Sequence, residues 1–122
     1  MSAFDLIAAI SRENSKVGYA ELTLAIDLTV RYLPQSPNLR TQVYPVVGEL
    51  IGKSAVAVSR NIARAVESCW NYGSRSAIDS MIGCSMPHRP SAKQFIVYCA
   101  YYLKYSKPYH RKELTTGMPL PF

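Results

Sequence analysis

The sequence contains few of the residues that carry catalytic or metal-binding chemistry. Two histidines, His88 and His110, and three cysteines, Cys69, Cys84 and Cys99, occur in 122 residues. No two cysteines form the close C-x-x-C pair typical of zinc sites, and neither histidine has a helical partner at metal-ligand spacing. We therefore expect reduced, partly buried thiols, and we expect no metal, no cofactor and no enzymatic activity.

Long apolar runs are also missing. No run approaches the ~20 residues that cross a bilayer, and the N-terminal apolar stretch contains Asp5 and lacks the basic region of a signal peptide. Hydrophobic residues make up 48% and charged residues 18% of the chain, which is typical of a globular protein. The length suits one domain. We expect a cytoplasmic domain with no membrane association.

Acidic residues are scarce in the second half of the chain. Residues 1–50 contain four basic and five acidic side chains, whereas residues 51–122 contain ten basic and three acidic ones. The second half therefore carries the whole positive excess of +6. Such asymmetry favours a polyanionic partner, either nucleic acid or an anionic membrane surface.

Apolar residues recur with helical period along almost the whole chain. Caps and helix breakers divide it into about six predicted helices, which cover residues 2–14, 19–33, 41–51, 55–72, 78–82 and 91–105. The pattern predicts an all-α fold, a compact bundle over residues 1–105. Residues 106–122, basic and rich in proline, are expected to form a flexible tail.

Residues 46–66 fit a helix-turn-helix, in which a tight turn joins two closely packed helices. Gly48 supplies a small residue inside the first helix, and Gly52 tolerates the positive φ that the turn needs. Lys53 occupies a turn position that is more often apolar. The apolar residues expected to lock the second helix onto the first are Ile51, Val58 and Ile62.

The opposite face of the second helix presents Arg60 and Arg64 one turn apart. Arginine bonds bidentately to guanine and small apolar groups meet thymine methyls, so this face suits a major groove. The candidate DNA-contacting residues are Lys53, Ser54, Val56, Ser59, Arg60, Ala63 and Arg64. We expect Lys53 to contact a phosphate and Arg60 to contact bases. The alternative is a solvated face on which Arg64 pairs with Glu67, or Glu67 with Asn71.

Trp70 falls at the edge of the buried stripe of the same helix, about 120° around the axis from Val58. We expect its ring to pack near the end of the helix with one edge left in water.

Residues 4–105 contain further motifs at characteristic separations. They are Gly18-Tyr19, Ala25-Ile26, Val43-Tyr44-Pro45, Val58 and Arg60 with Ile62, Ala65 and Glu67, Trp70 with Gly73, Ile78-Asp79-Ser80 and the segment from Pro90 to Ile96. With these motifs the chain resembles the C-terminal DNA-binding effector domain of the sporulation response regulator, the stage zero sporulation protein A family. The resemblance implies an all-helical domain that binds short DNA sites, often as tandem copies, and regulates transcription.

The recognition helix matches that family unevenly. Arg60 corresponds to a base-contacting arginine, whereas Ser59 stands where the family has an acidic residue. Ala63 and Arg64 stand where an arginine and a histidine are expected. The resemblance therefore implies DNA binding with a changed target sequence.

We expect no counterpart of the phosphorylated receiver domain of the full-length regulator, because about three residues precede the first helix. We expect either a stand-alone effector-like protein, which Met1 favours, or an excised domain.

Two functional hypotheses follow. The first is a sequence-specific DNA-binding regulator of transcription, whose partners are double-stranded DNA, a second copy on tandem sites, and the transcription machinery. The second is a protein-interaction module that keeps the fold and modulates a full-length regulator without reading an operator.

Overall fold

The computed structural model describes residues 1–11 and 18–110, and all six predicted helices lie there. Their bounds are α1 (Ala3–Ser11), α2 (Tyr19–Tyr32), α3 (Tyr44–Ile51), α4 (Ala55–Tyr72), α5 (Arg75–Ile82) and α6 (Ala92–Tyr105). A π-helical turn, Leu39–Val43, runs directly into α3. The described residues contain no β-strand. The all-α prediction is confirmed.

Serine side chains begin the helices as the sequence predicts. Ser2 Oγ accepts the N–H of Asp5 at 3.1 Å, and the Asp5 carboxylate accepts the N–H of Ser2 at 3.2 Å. Ser91 and Gln94 form the same reciprocal pair at the start of α6. These bonds satisfy backbone donors that have no partner within the helix. The predicted end of α1 near Asn14 lies outside the described residues.

Helix α5 begins earlier than predicted, at Arg75 instead of Ile78. Ser74 Oγ accepts the N–H of Ala77 at 3.2 Å and caps the helix. The first turn of α5 contains few apolar residues, so the apolar periodicity of the sequence does not show where the helix starts.

The third predicted helix is two elements. The prediction placed it over 41–51, but the chain is π-helical over Leu39–Val43 and α-helical from Tyr44. Asn38 begins the π-helical turn, because its Oδ1 accepts the N–H of Arg40 at 3.1 Å and of Thr41 at 3.2 Å.

The core lies between α2 and α6 and receives side chains from all six helices. Helix α2 packs against α1, α3, α4 and α6, so it supports the buried face of α4. The largest fully buried side chains include Tyr98, Phe95, Ile7, Ile10, Leu22, Ile26 and Ile62.

The three cysteines are free thiols. Cys69 and Cys99 are buried in the core. Burial raises the pKa of Cys69 to about 11 and raises the pKa of Cys99 well above its usual value. Cys84 is exposed, contrary to the expectation of partial burial for all three.

Tyr109 and His110, within the predicted tail, pack against the bundle. The N–H of His110 donates to the carbonyl oxygen of Ile82 at 2.8 Å, and the ring of Tyr109 meets that of Tyr98 edge to face at 5.3 Å between centroids. The packed structure therefore extends past residue 105 to His110. Residues 111–122 of the predicted tail lie outside the described part of the chain.

Candidate nucleic-acid interface

The turn between α3 and α4 brings the two helices together. Gly52 ends α3 with φ of 73°, a left-handed conformation that glycine adopts without steric cost. The N–H of Lys53 then donates to the carbonyl oxygen of Gly48 at 2.9 Å. A Cβ atom at position 48 would overlap the carbonyl oxygen of Lys53. The two glycine roles predicted from the sequence are both present.

Helix α4 has one buried face and one exposed face. Its buried residues are Val58, Ile62, Ala65, Val66 and Cys69, which are members of the predicted stripe. Ser54 Oγ accepts the N–H of Ala57 at 3.1 Å and caps the helix. Arg60, Ala63 and Arg64 are exposed on the other side, and 70% of Val56 is accessible to solvent.

The predicted face lines a shallow groove of about 550 Å³, called here the main groove. Its lining residues are Arg40, Tyr44, Ala55, Val56, Ser59, Arg60 and Ala63. Four of the seven predicted contact residues therefore meet there, while Lys53, Ser54 and Arg64 are not among the lining residues. Arg40 and Tyr44, which the sequence analysis left unassigned, complete the groove from the π-helical turn and α3.

Neither arginine on this face pairs with a carboxylate of the described residues. Among residues 1–11 and 18–110, Arg60 and Arg64 form no ion pair. Glu67, the partner that the alternative interpretation assigned to Arg64, instead accepts a hydrogen bond from Arg89 at 3.0 Å. Both arginines are exposed to solvent.

Lys53 has a protein partner that the sequence did not indicate. Its Nζ lies 3.7 Å from Oε2 of Glu21, on α2. The Glu21 side chain is 6% exposed and that of Lys53 is 43% exposed. Oε2 accepts no hydrogen bond within the described residues, so Lys53 is the nearby positive charge that compensates a buried carboxylate. The ammonium remains partly open to solvent beside the N-terminus of α4.

Other kinds of site are not formed in the described part of the chain. In residues 1–11 and 18–110, no group of three or more His, Cys, Asp or Glu side chains is placed to hold a metal ion. Over the same residues, none of the helices combines the length and the apolar character that a membrane crossing requires.

The sequence matches the model of a known protein family. The family described as "Sporulation initiation factor Spo0A C terminal" matches residues 4–103. A search of curated proteins gave no significant match. The family is one of DNA-binding domains, and the match covers all six helices except the first residue of α1 and the last two of α6. The chain therefore belongs to the family of Spo0A C-terminal domains.

Proposed function

We propose that this chain is a sequence-specific DNA-binding regulator of transcription, and that α3, the turn and α4 act as its helix-turn-helix. The observation that carries the proposal is the exposed face of α4, where Arg60 and Arg64 are free of ion pairs among the described residues and where Arg60 lines the main groove. Helix α4 enters the major groove, and its inner face holds it against α2 and α3.

The roles of the contact residues follow from their chemistry. Arg60 reads bases, since a guanidinium can donate two hydrogen bonds to one guanine. Val56 and Ala63 offer apolar groups to thymine methyls. Ser54 and Lys53 lie where α4 begins, where backbone N–H groups and the helix dipole favour a phosphate. Arg64, one turn beyond Arg60, reaches a neighbouring base.

Which genes the chain regulates depends on the DNA sites to which it binds. Family resemblance supports tandem binding of two copies on adjacent sites, with contacts to the transcription machinery from faces other than α4.

The test is selection of bound sequences from random duplexes, followed by anisotropy titration of the selected site and a scrambled duplex at two salt concentrations. We expect a preferred sequence and an affinity that falls steeply with salt, because bound phosphates release counterions. Binding weaker than ~10⁻⁴ M to every duplex at low salt contradicts the proposal.

A protein-interaction module is the second candidate, and one observation favours it. Val46 and Leu50 lie one turn apart on α3 and are 38% and 63% exposed. Apolar side chains exposed together suit a protein partner. This candidate replaces the first if the selection yields no sequence and the chain instead binds a full-length regulator of the family.

A further inference from the structure

A second groove continues from the main groove. This side groove, of about 430 Å³, is lined by Ser36, Pro37, Asn38, Leu39, Arg40, Tyr44 and Lys93. Arg40 and Tyr44 line both grooves. The two grooves therefore adjoin at Arg40 and Tyr44, with α4 residues lining one and Lys93 of α6 lining the other.

The charge of this surface has one sign. The residues that line the two grooves include Arg40, Arg60 and Lys93 and no Asp or Glu. In the described ranges 1–11 and 18–110, Arg40 and Lys93 form no ion pair. Two cations without carboxylate partners beside the arginine of α4 make a surface suited to a polyanion.

Local structure holds both cations in place. Arg40 belongs to the π-helical turn, whose start is fixed by two hydrogen bonds to Asn38 Oδ1 and by a bond of 2.7 Å from the Asn38 N–H to Gln42 Oε1. Lys93 is the second residue of α6 and lies between Ser91 and Gln94, the two residues of the capping box. The first turn of α6 contains no acidic residue, so its helix dipole adds to the attraction of Lys93 for an anion.

We propose that Arg40 and Lys93 bind the phosphate backbone of DNA beside the base pairs that α4 reads, an inference that rests on the proposed function. The contact is independent of sequence. It extends the stretch of DNA that the domain contacts on one side of the recognition site. It also fixes the orientation of the domain on the duplex.

The test compares a double variant, Arg40→Gln with Lys93→Gln, with the wild-type chain by anisotropy titration over a range of salt concentrations. The plot of log affinity against log salt is expected to lose about 1.8 in slope, at about 0.9 for each phosphate contact. Affinity for the selected site and for a scrambled duplex falls by the same factor. Lys93→Gln alone, a change at an exposed position, is expected to remove about half of the slope difference.

The matched control removes two cations at the other end of α6. Lys104, in the last turn of α6, donates to the carbonyl oxygens of Val30 and Leu33, which flank Arg31. Arg31 and Lys107 thus lie near the far end of a helix about 20 Å long. The double variant Arg31→Gln with Lys107→Gln is expected to keep the wild-type slope.

Trimming the duplex gives a second readout. Removal of base pairs from one flank of the selected site weakens the wild-type chain and leaves the Arg40–Lys93 variant unaffected. A variant that keeps the wild-type slope, or that loses no more slope than the control, overturns the inference and leaves the side groove to an acidic protein partner. Failure of the wild-type chain to bind any duplex overturns the proposed function, and this inference with it.

Discussion

Lys53 Nζ lies 3.7 Å from Glu21 Oε2, and this pair joins the turn before α4 to α2. Glu21→Gln removes the carboxylate and leaves Lys53 free for a phosphate. We expect tighter binding to every duplex and an unchanged salt slope, because Lys53 keeps its one phosphate contact and no longer shares its charge with a carboxylate. Anisotropy titration of the selected and scrambled duplexes measures both effects. An affinity gain confined to the selected site would contradict this role for Glu21.

Lys53→Ala is expected to weaken binding to all sequences alike and to lower the salt slope by ~1. It also leaves Glu21 buried without its counter-ion. The loss in unfolding free energy should be well below the ~3–5 kcal/mol of a fully buried pair, because 43% of the Lys53 side chain is exposed. The combined variant with Glu21→Gln recovers the stability but not the phosphate contact. Thermal unfolding separates the two effects.

Arg60→Ala is expected to cost ~1–3 kcal/mol in binding free energy at the selected site and to flatten the preference at one or two base pairs. The reason is the loss of a bidentate contact to a base. Affinity for a scrambled duplex, measured in parallel, should change much less. An equal loss on both duplexes would make Arg60 a backbone contact and would refute base reading through this side chain.

Arg75 covers the face of Trp70, with its guanidinium carbon 3.4 Å from the ring centroid. It also donates to the Trp70 carbonyl oxygen at 2.8 Å. Trp70 is the single tryptophan of the chain, so the tryptophan fluorescence reports on the surroundings of this ring. Arg75→Ala is expected to shift the emission to longer wavelength and to cost ~0.5–1 kcal/mol in stability. Arg31→Ala is the control, and an unchanged emission in Arg75→Ala would contradict the stacking.

His110 makes the stability of the chain depend on pH. Its Nε2 lies 3.4 Å from Tyr98 Oη, and burial lowers the pKa of His110 below its ordinary 6.5. The folded chain therefore favours the neutral ring, and its contribution to stability is complete above pH 6.5 and is lost as the pH falls through the lowered pKa. The unfolding temperature of the wild-type chain should fall over this interval more than that of His110→Gln, which does not titrate. Equal decreases in the two proteins would exclude this contribution.

Much of the fold could be predicted because its signals are local. The serine caps, Gly52 and the apolar stripe of α4 each determine the backbone conformation within one or two helical turns. The six helices could be predicted from signals of this kind. The π-helical turn could not be predicted. It depends on hydrogen bonds from backbone N–H groups to the side chains of Asn38 and Gln42, and its sequence shows no distinctive apolar period.

The candidate site was predicted only along α4, where exposed and buried positions follow from helical spacing. The Glu21–Lys53 pair joins residues far apart in the sequence, and Arg40 and Lys93 line one groove only because the bundle has packed. No local pattern shows such contacts.

The closeness of Gly48 to the Lys53 carbonyl has a consequence for interpreting mutational scans. In a saturation library selected for DNA binding, position 48 would be depleted of almost every substitution although glycine offers no side chain to DNA. Position 52 would be depleted for a different reason, since a Cβ there meets no atom within 4 Å but the backbone φ is positive. A map of contact residues drawn from depletion alone would thus wrongly assign positions 48 and 52 to the DNA interface. Only a parallel selection for folding distinguishes residues that shape the surface from residues that touch the ligand.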